Sequence, residues 1–411
     1  MAEKRGSAQI FVAERGGERH VALWRKDRLA AYRLEGPALR DRTGALYQGR
    51  VVRVEKGLGA AFVLFDAGET GMLPLRRGER RVEGERVLVQ LARERRGDKA
   101  PRLTGAPILE GRFVDLLSGE PGVHMGGAAL EAEAARAIRA SLRKLADGRS
   151  GFRLTARAAG APSDAILAEA ASLQAAWQRA VEAQVEAEPE TCLLPAPDAV
   201  LALVKELPGV EHVRVIADTR VLARRIEDAL DAAAAQGVEV LHMPSREWSP
   251  SAGEIGEALL AALEPRVPLP DGPWLLLEPG ETLTAIDVNS GEATARRGSL
   301  DSADARLKLD LAACGEIAHQ LRLRNIGGIV VIDFVELEGA AERDLVTKRL
   351  RTALAGDPAR TRVLPMSDLG LVQLTRQLRG PTLADLFLAP CERCGGVGRL
   401  VKRQPIGASG A

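Results

Sequence analysis

Apolar and polar positions alternate with a period of two through AQIFVAE (8–14) and HVALW (20–24), separated by Gly16 and Gly17. That period places alternate side chains on opposite faces, so residues 8–34 are predicted to be short strands. From Gly44 to about Leu109 the runs LYQGRVVRVE, AAFVLFD, GMLPL and ERVLVQLAR are punctuated by glycines, which predicts a small barrel or sandwich. EGRFVDLLSGEPGVHM then reads as one more strand pair. Helical spacing takes over at 128–147, where a glycine stops it, and again at about 163–187. EPETCLLPAPDAV, with three prolines, reads as a connector.

Helix and strand alternate over 198–262, with strands at HVRVIAD and VEVLHM, the pattern of an α/β unit. Four prolines in EPRVPLPDGP mark the next boundary. WLLLEPGETLTAIDVNSG predicts a hairpin, and a helix follows over about 302–323. GGIVVIDFVEL predicts a buried strand, ERDLVTKRLRTALAGD a helix, and RVLPMSDLGLVQLTR further strands. No fixed-period repeat is present. A chain of 411 residues with this punctuation is expected to form two to four compact units.

Composition narrows this little. With 46% hydrophobic but only 3% aromatic residues, the core must rest on alanine, leucine and valine. Formal net charge is +1, so the arrangement of charge, not its sum, bears on partners. The N-terminal residues hold no signal-like apolar stretch, and no run approaches the roughly 20 apolar residues of a membrane span. A soluble, cytoplasmic protein is expected. Four scattered cysteines are too few for a secreted disulfide scaffold.

Three features carry chemistry. In TLTAIDVNSG and GGIVVIDFVEL an aspartate, Asp287 or Asp333, ends an apolar strand. Such acids are costly to bury unless paired, hydrogen-bonded or metal-bound. Side by side they would suit Mg²⁺, and Asn289, two residues after Asp287, would share its face. Capping of turns or helices is the plainer explanation of both. PCERCGGVGRL sets Cys391 and Cys394 three residues apart, half of a tetrahedral zinc site. Cys192 and Cys314 are expected to be small buried side chains, so an identical motif from a second chain is the economical source of the other two ligands. A redox pair is the rival reading. Finally, residues 76–102 hold ten Lys/Arg against five Asp/Glu, which suits single-stranded nucleic acid if Phe62 is an exposed stacking residue. A solvated loop beside a core phenylalanine fits equally.

At these residues the chain resembles the RNase E/RNase G family. GALYQGRVVRVEKGLGAAFVLFDAGETGMLPL looks like that family's RNA-binding OB barrel. LTAIDVNSGEAT, EIAHQLRLRNIGGIVVIDF, LGLVQLTRQLRGPTL and CERCGGVG follow in the order of its catalytic half, and HVALWRKDRLAAYRLEG fits its first segment. The resemblance implies an α/β multidomain fold. An RNase H-like unit (1–40 plus 198–265) is interrupted by an OB barrel (41–110) and a 5′-sensor-like region (111–197). A DNase I-like catalytic domain (266–388), a zinc link (389–400) and a tail (401–411) follow. It implies Mg²⁺-dependent hydrolysis of single-stranded RNA to 5′-phosphate and 3′-hydroxyl ends. Asp287 and Asp333 would hold the ion, Asn289 would support them, and Phe62, Lys99, Arg157 and Arg360 would contact RNA. Cys391 and Cys394 would share Zn²⁺ across a homodimer.

The departures are specific. About three extra residues separate the two aspartates. The family's Arg–Thr phosphate pocket is matched only by Arg157 and Ala158, and Met72 replaces a second barrel aromatic. The family's terminal small domain and its degradosome scaffold have no counterpart, so a dimer with weakened or absent 5′-end sensing is expected. Two alternatives stand beside catalysis: a silent RNA-binding protein and a ribosome-maturation factor.

Overall fold

Gly16 and Gly17 both take positive φ, 60° and 84°, and turn the chain tightly between its first two strands. The computed structural model describes residues 8–393 except 38, 40, 96–98, 129, 208–211, 236 and 292–302. Strands β1 (Ala8–Arg15), β2 (Glu18–Arg25) and β3 (Arg28–Glu35) form an antiparallel meander.

Five strands follow: β4 (Leu46–Glu55), β5 (Ala60–Asp66), β6 (Glu69–Pro74), β7 (Arg86–Arg93) and β8 (Arg102–Thr104). They run in the order β4-β5-β6-β8-β7, and β7 pairs back onto β4, closing a barrel. Alternation sends Val51, Ala61, Val63, Phe65, Leu73, Val89, Leu91 and Leu103 inward as its core. Gly49 is required by closeness, since a Cβ there would lie 2.4 Å from a Val63 methyl.

Next come β9 (Ile108–Leu109), β10 (Val114–Ser118), β11 (Gly122–His124), α1 (Ala132–Leu145), β12 (Ser150–Leu154) and α2 (Ser163–Glu186). The strand pair expected in EGRFVDLLSGEPGVHM does not form. Instead β12 inserts between β10 and β11, giving the order β11-β12-β10-β9. Gly151 permits that insertion, because a Cβ there would stand 2.1 Å from the Glu120 carbonyl oxygen. A second correction concerns EPETCLLPAPDAV. Its proline-free centre is β13 (Thr191–Leu194), which pairs antiparallel with β4 of the barrel.

The chain then forms α3 (Ala199–Glu206), β14 (Val213–Ala217), α4 (Arg220–Ala232), β15 (Val238–His242) and α5 (Ala252–Ala261). β14 pairs parallel with β1, and β15 parallel with β14, so the sheet order is β15-β14-β1-β2-β3. Segments from both sides of the barrel thus share one sheet and one core, with Ile10, Val12 and Val21 against Val215, Leu222 and Ile226.

The last unit holds β16 (Arg266–Pro268), β17 (Trp274–Pro279), β18 (Leu283–Asn289), α6 (Ala303–Leu323), β19 (Gly328–Asp333), α7 (Ala340–Leu354), β20 (Thr361–Val363), β21 (Leu371–Arg376) and α8 (Leu383–Phe387). Its sheet runs β16-β17-β18-β19-β21-β20, and only the β18–β19 pair is parallel. One face, with Leu275, Leu277, Ile286, Val288, Val330, Ile332, Val372 and Leu374, is buried with Ile317 and Leu321 of α6 and Val346 and Leu350 of α7. The alternate residues form the other face, where Leu283 and Ile329 remain 39% and 50% exposed. No described helix is long and apolar enough to cross a membrane.

Candidate functional site

The open face of the last sheet carries the acids. Strict alternation in β18 buries Thr284, Ile286 and Val288 and turns Ala285, Asp287 and Asn289 the other way. In β19 Val330 and Ile332 are buried, which leaves Asp333 exposed on the same side. Parallel pairing matches Asp287 with Asp333 directly. Adjacent strands lie about 5 Å apart, so the carboxylates are neighbours. Two negative charges at that spacing repel by roughly 3 kcal/mol at an effective dielectric constant of 20, which a cation between them would reverse. The Asn289 Nδ2 donates to Asp287 Oδ2 at 2.6 Å and fixes that carboxylate.

Among the described residues no group of three or more His, Cys, Asp and Glu is arranged to hold a metal. Two hard carboxylates with an amide alongside do suit Mg²⁺, which takes one or two protein carboxylates and completes its shell with water and phosphate oxygens.

A third acid lies beneath the second. Asp310 of α6 is fully buried and accepts a hydrogen bond from the Val335 N–H at 3.1 Å, while its other oxygen has no partner. Burial pushes this carboxyl up to about 7, against the opposing pull of that N–H. Sequence reasoning missed it. The signal was available, because Asp310, Cys314, Ile317 and Leu321 follow helical spacing along a buried stripe.

On the barrel, Arg53, Phe62, Met72 and Arg102 pair successively across β4, β5, β6 and β8, and Arg102 pairs on to Arg93 of β7. Phe62 is half-buried, not fully exposed as expected, because the Arg53 guanidinium sits 4.5 Å above its ring. Arg53 also pairs with Glu55 at 3.3 Å. Arg93 and Arg102 are exposed and make no ion pair among the described residues. This outward band of cations around an aromatic was hidden in the sequence by the strand register. Lys99 is exposed in the segment leading to Arg102.

The other candidates lie apart. Arg157 is half-buried in a turn after β12, and its guanidinium is held below its ordinary value, chiefly by burial. Glu206, Asp115 and Glu110 oppose that shift and Arg379 adds to it. The Thr155 hydroxyl donates to the Arg112 carbonyl at 2.7 Å, and Ala158 is buried. Arg360 is exposed beside Gln377, whose N–H donates to the Arg360 carbonyl at 2.8 Å. β21 is antiparallel to β19, so Arg360 stands at the Gly328 end, a strand length from Asp333. Cys391 is exposed, and Cys394 lies outside the described residues. Cys314 is buried as expected, with its Sγ 3.6 Å from the Val346 carbonyl. The expectation for Cys192 is corrected: β13 is the outer strand on β4 and leaves it exposed.

A profile of the Ribonuclease E/G family matches residues 109–379, well over half of the chain and including both aspartates. The chain belongs to the ribonuclease E/G family. It is 32% identical to ribonuclease E of Nostoc sp. over 378 residues, which cover 87% of this chain and 54% of that relative. Against ribonuclease E of Synechocystis sp. it is 30% identical, covering 96% of this chain and 60% of the relative. Ribonuclease G of Escherichia coli is 26% identical, with 95% and 84% covered. The chain thus spans between half and two thirds of the two ribonuclease E relatives. Within the ribonuclease E/G match, the acids on β18 and β19 are the pair that the strand register brings together.

Proposed function

We propose that this chain is an Mg²⁺-dependent endoribonuclease that hydrolyses single-stranded RNA to 5′-phosphate and 3′-hydroxyl ends in RNA processing or decay. The matched register of Asp287 and Asp333 on an open sheet face carries the reading. These two carboxylates would hold the ion, and Asn289 would keep Asp287 in its ligating orientation. When bound, Mg²⁺ supplies polarisation of the phosphodiester and a lowered pKa of the attacking water. The barrel row of Arg53, Phe62, Arg93 and Arg102 supports the binding part, with Phe62 stacking a base and Lys99 and the arginines facing phosphates. Arg360 stands too far along its strand to touch the phosphate being cut and would contact RNA further out.

In this reading the sheet of β1–β3 with β14 and β15 is the RNase H-like unit, β4–β8 the OB barrel, and β16–β21 the DNase I-like catalytic domain. Cys391 and Cys394 would bind Zn²⁺ together with the same pair from a second copy, making a homodimer in the cytoplasm. A 5′-phosphate is poorly served at Arg157. The Thr155 hydroxyl is already engaged, and Ala158 has no hydroxyl to offer. Rates on 5′-phosphorylated and 5′-hydroxyl RNA should therefore agree within about twofold, roughly 0.4 kcal/mol.

The test is cleavage of a fluorescent A/U-rich oligonucleotide by the purified protein, with Mg²⁺ and then with EDTA. Cutting that EDTA abolishes is expected. Binding without any metal-dependent cutting would instead make this a silent RNA-binding protein.

A further inference from the structure

We propose that Trp274, with Arg266, is a base-stacking platform for one of the two nucleotides flanking the cut and thereby sets cleavage-site preference. The inference rests on reading the acid pair as the cleavage centre. Trp274 begins β17, the strand next to Asp287, and is paired directly with Asn289, while Leu276 is paired with Asp287. Leu275 and Leu277 are buried beneath the sheet, so Trp274 and Leu276 lie on the open face with the acids. Two residues along a strand and one strand across place its Cβ about 8 Å from that of Asp287. That separation is comparable to one step of an extended single strand.

The indole here is unlike a core tryptophan. Trp248 is 8% exposed and donates its N–H to the Met243 carbonyl at 2.8 Å. Trp274 is half-exposed, and its N–H has no hydrogen-bond partner among the described residues. The Arg266 guanidinium lies 4.2 Å from its ring centroid. Arg266 is exposed and makes no ion pair among the described residues, so its charge remains available to the backbone phosphate of the stacked nucleotide. An indole for the base and a guanidinium for its phosphate form a recurring way to hold single-stranded nucleic acid. The sheet thus presents, in neighbouring rows, a group that grips a nucleotide and the groups that would act on the next bond.

The experiment is an oligonucleotide with one cleavage site, assayed with Mg²⁺ as a series in which each base near the cut is replaced by an abasic residue. In the unmodified protein, one abasic position flanking the cut should lower kcat/KM about tenfold. Trp274→Ala should lower kcat/KM on intact RNA about tenfold, mainly through KM, and the same abasic residue should then cost less than about twofold more. Trp274→Phe should restore most of the loss, and Arg266→Ala should weaken the salt dependence of binding. Undiminished sensitivity to the abasic position in Trp274→Ala, or full activity on intact RNA, overturns the proposal. A binding arm separates it from the parent reading: RNA added with Ca²⁺ should quench tryptophan fluorescence, and Trp274→Phe should remove part of that quench. Absence of all cleavage with that difference intact rejects the nuclease reading and keeps the stacking site. An unchanged quench in Trp274→Phe rejects the stacking site whatever the activity.

Discussion

Asp287 and Asp333 sit at one register position of two parallel strands, with their carboxylates on the sheet face that α6 and α7 leave open. In the sequence they are 46 residues apart, the difference of their numbers. The helix α6 returns the chain so that β19 runs alongside β18, and alternation does the rest. Nothing else in the described structure brings two carboxylates side by side at the end of two apolar strands with a supporting amide.

The buried carboxyl of Asp310 predicts a pH-dependent stability. Its folded-state value, about 7, lies above the ordinary 3.8. Rising pH strips the proton from the unfolded chain first. Stability contributed here therefore falls between about pH 4 and pH 7, and the full penalty persists above that range. Asp310→Asn keeps an acceptor for the Val335 N–H and should stabilise the protein by a few kcal/mol at pH 8, with the gain vanishing toward pH 4. Thermal unfolding across that range checks it. Parallel profiles for the two proteins would contradict it.

Asp357 and Arg376 form the most deeply buried ion pair among the described residues, at 2.8 Å with both side chains at most 3% exposed. Arg376 also donates to the Ile326 carbonyl, so the pair ties β21 to the turn before β19. Asp357→Ala leaves an uncompensated cation and should cost about 3–5 kcal/mol in denaturant unfolding. Arg224→Ala removes only exposed contacts to Glu227 and Asp228 and should cost under about 1 kcal/mol.

Much of this was legible in the sequence, and the reasons are local. β17 and β19 were recognisable as short apolar runs bounded by glycine, proline or an acid, β18 by its alternation, and the barrel because glycines punctuate its strands. β12 escaped because only Phe152 and Leu154 of its five residues are large and apolar, and β13 because it has only four residues. Thr191–Leu194 is flanked by prolines that suggested a connector. Arg360 was expected to contact RNA on motif position alone, and its place at the far end of β19 from Asp333 follows only from the antiparallel register of β21. The arginine row around Phe62 required the same knowledge of register. Asp310 was readable in principle, but a single acid on a buried helical stripe is easily taken for a surface residue.

The barrel row predicts a division of labour. Phe62→Ala should weaken RNA binding by about 1–3 kcal/mol, nearly independently of salt. Arg102→Ala should cost less at high salt and lower the slope of log K against log salt by about one. Fluorescence anisotropy with a short unstructured RNA at several salt concentrations separates them. Identical salt slopes for Arg102→Ala and the unmodified protein would remove Arg102 from the interface.

Cys391→Ser with Cys394→Ser should release zinc and shift the protein to a monomer. Metal analysis and light scattering read the two outcomes together. A zinc-free dimer in the double variant would place the dimer contact elsewhere in the chain.

Asp287→Asn and Asp333→Asn, assayed side by side for cleavage and for RNA binding, address the acid pair directly. Each should reduce Mg²⁺-dependent cleavage by at least about 10³-fold, roughly 4 kcal/mol, with RNA affinity within a few-fold of the unmodified protein. Cleavage persisting in either variant at a comparable rate would show that the pair does not hold the catalytic ion.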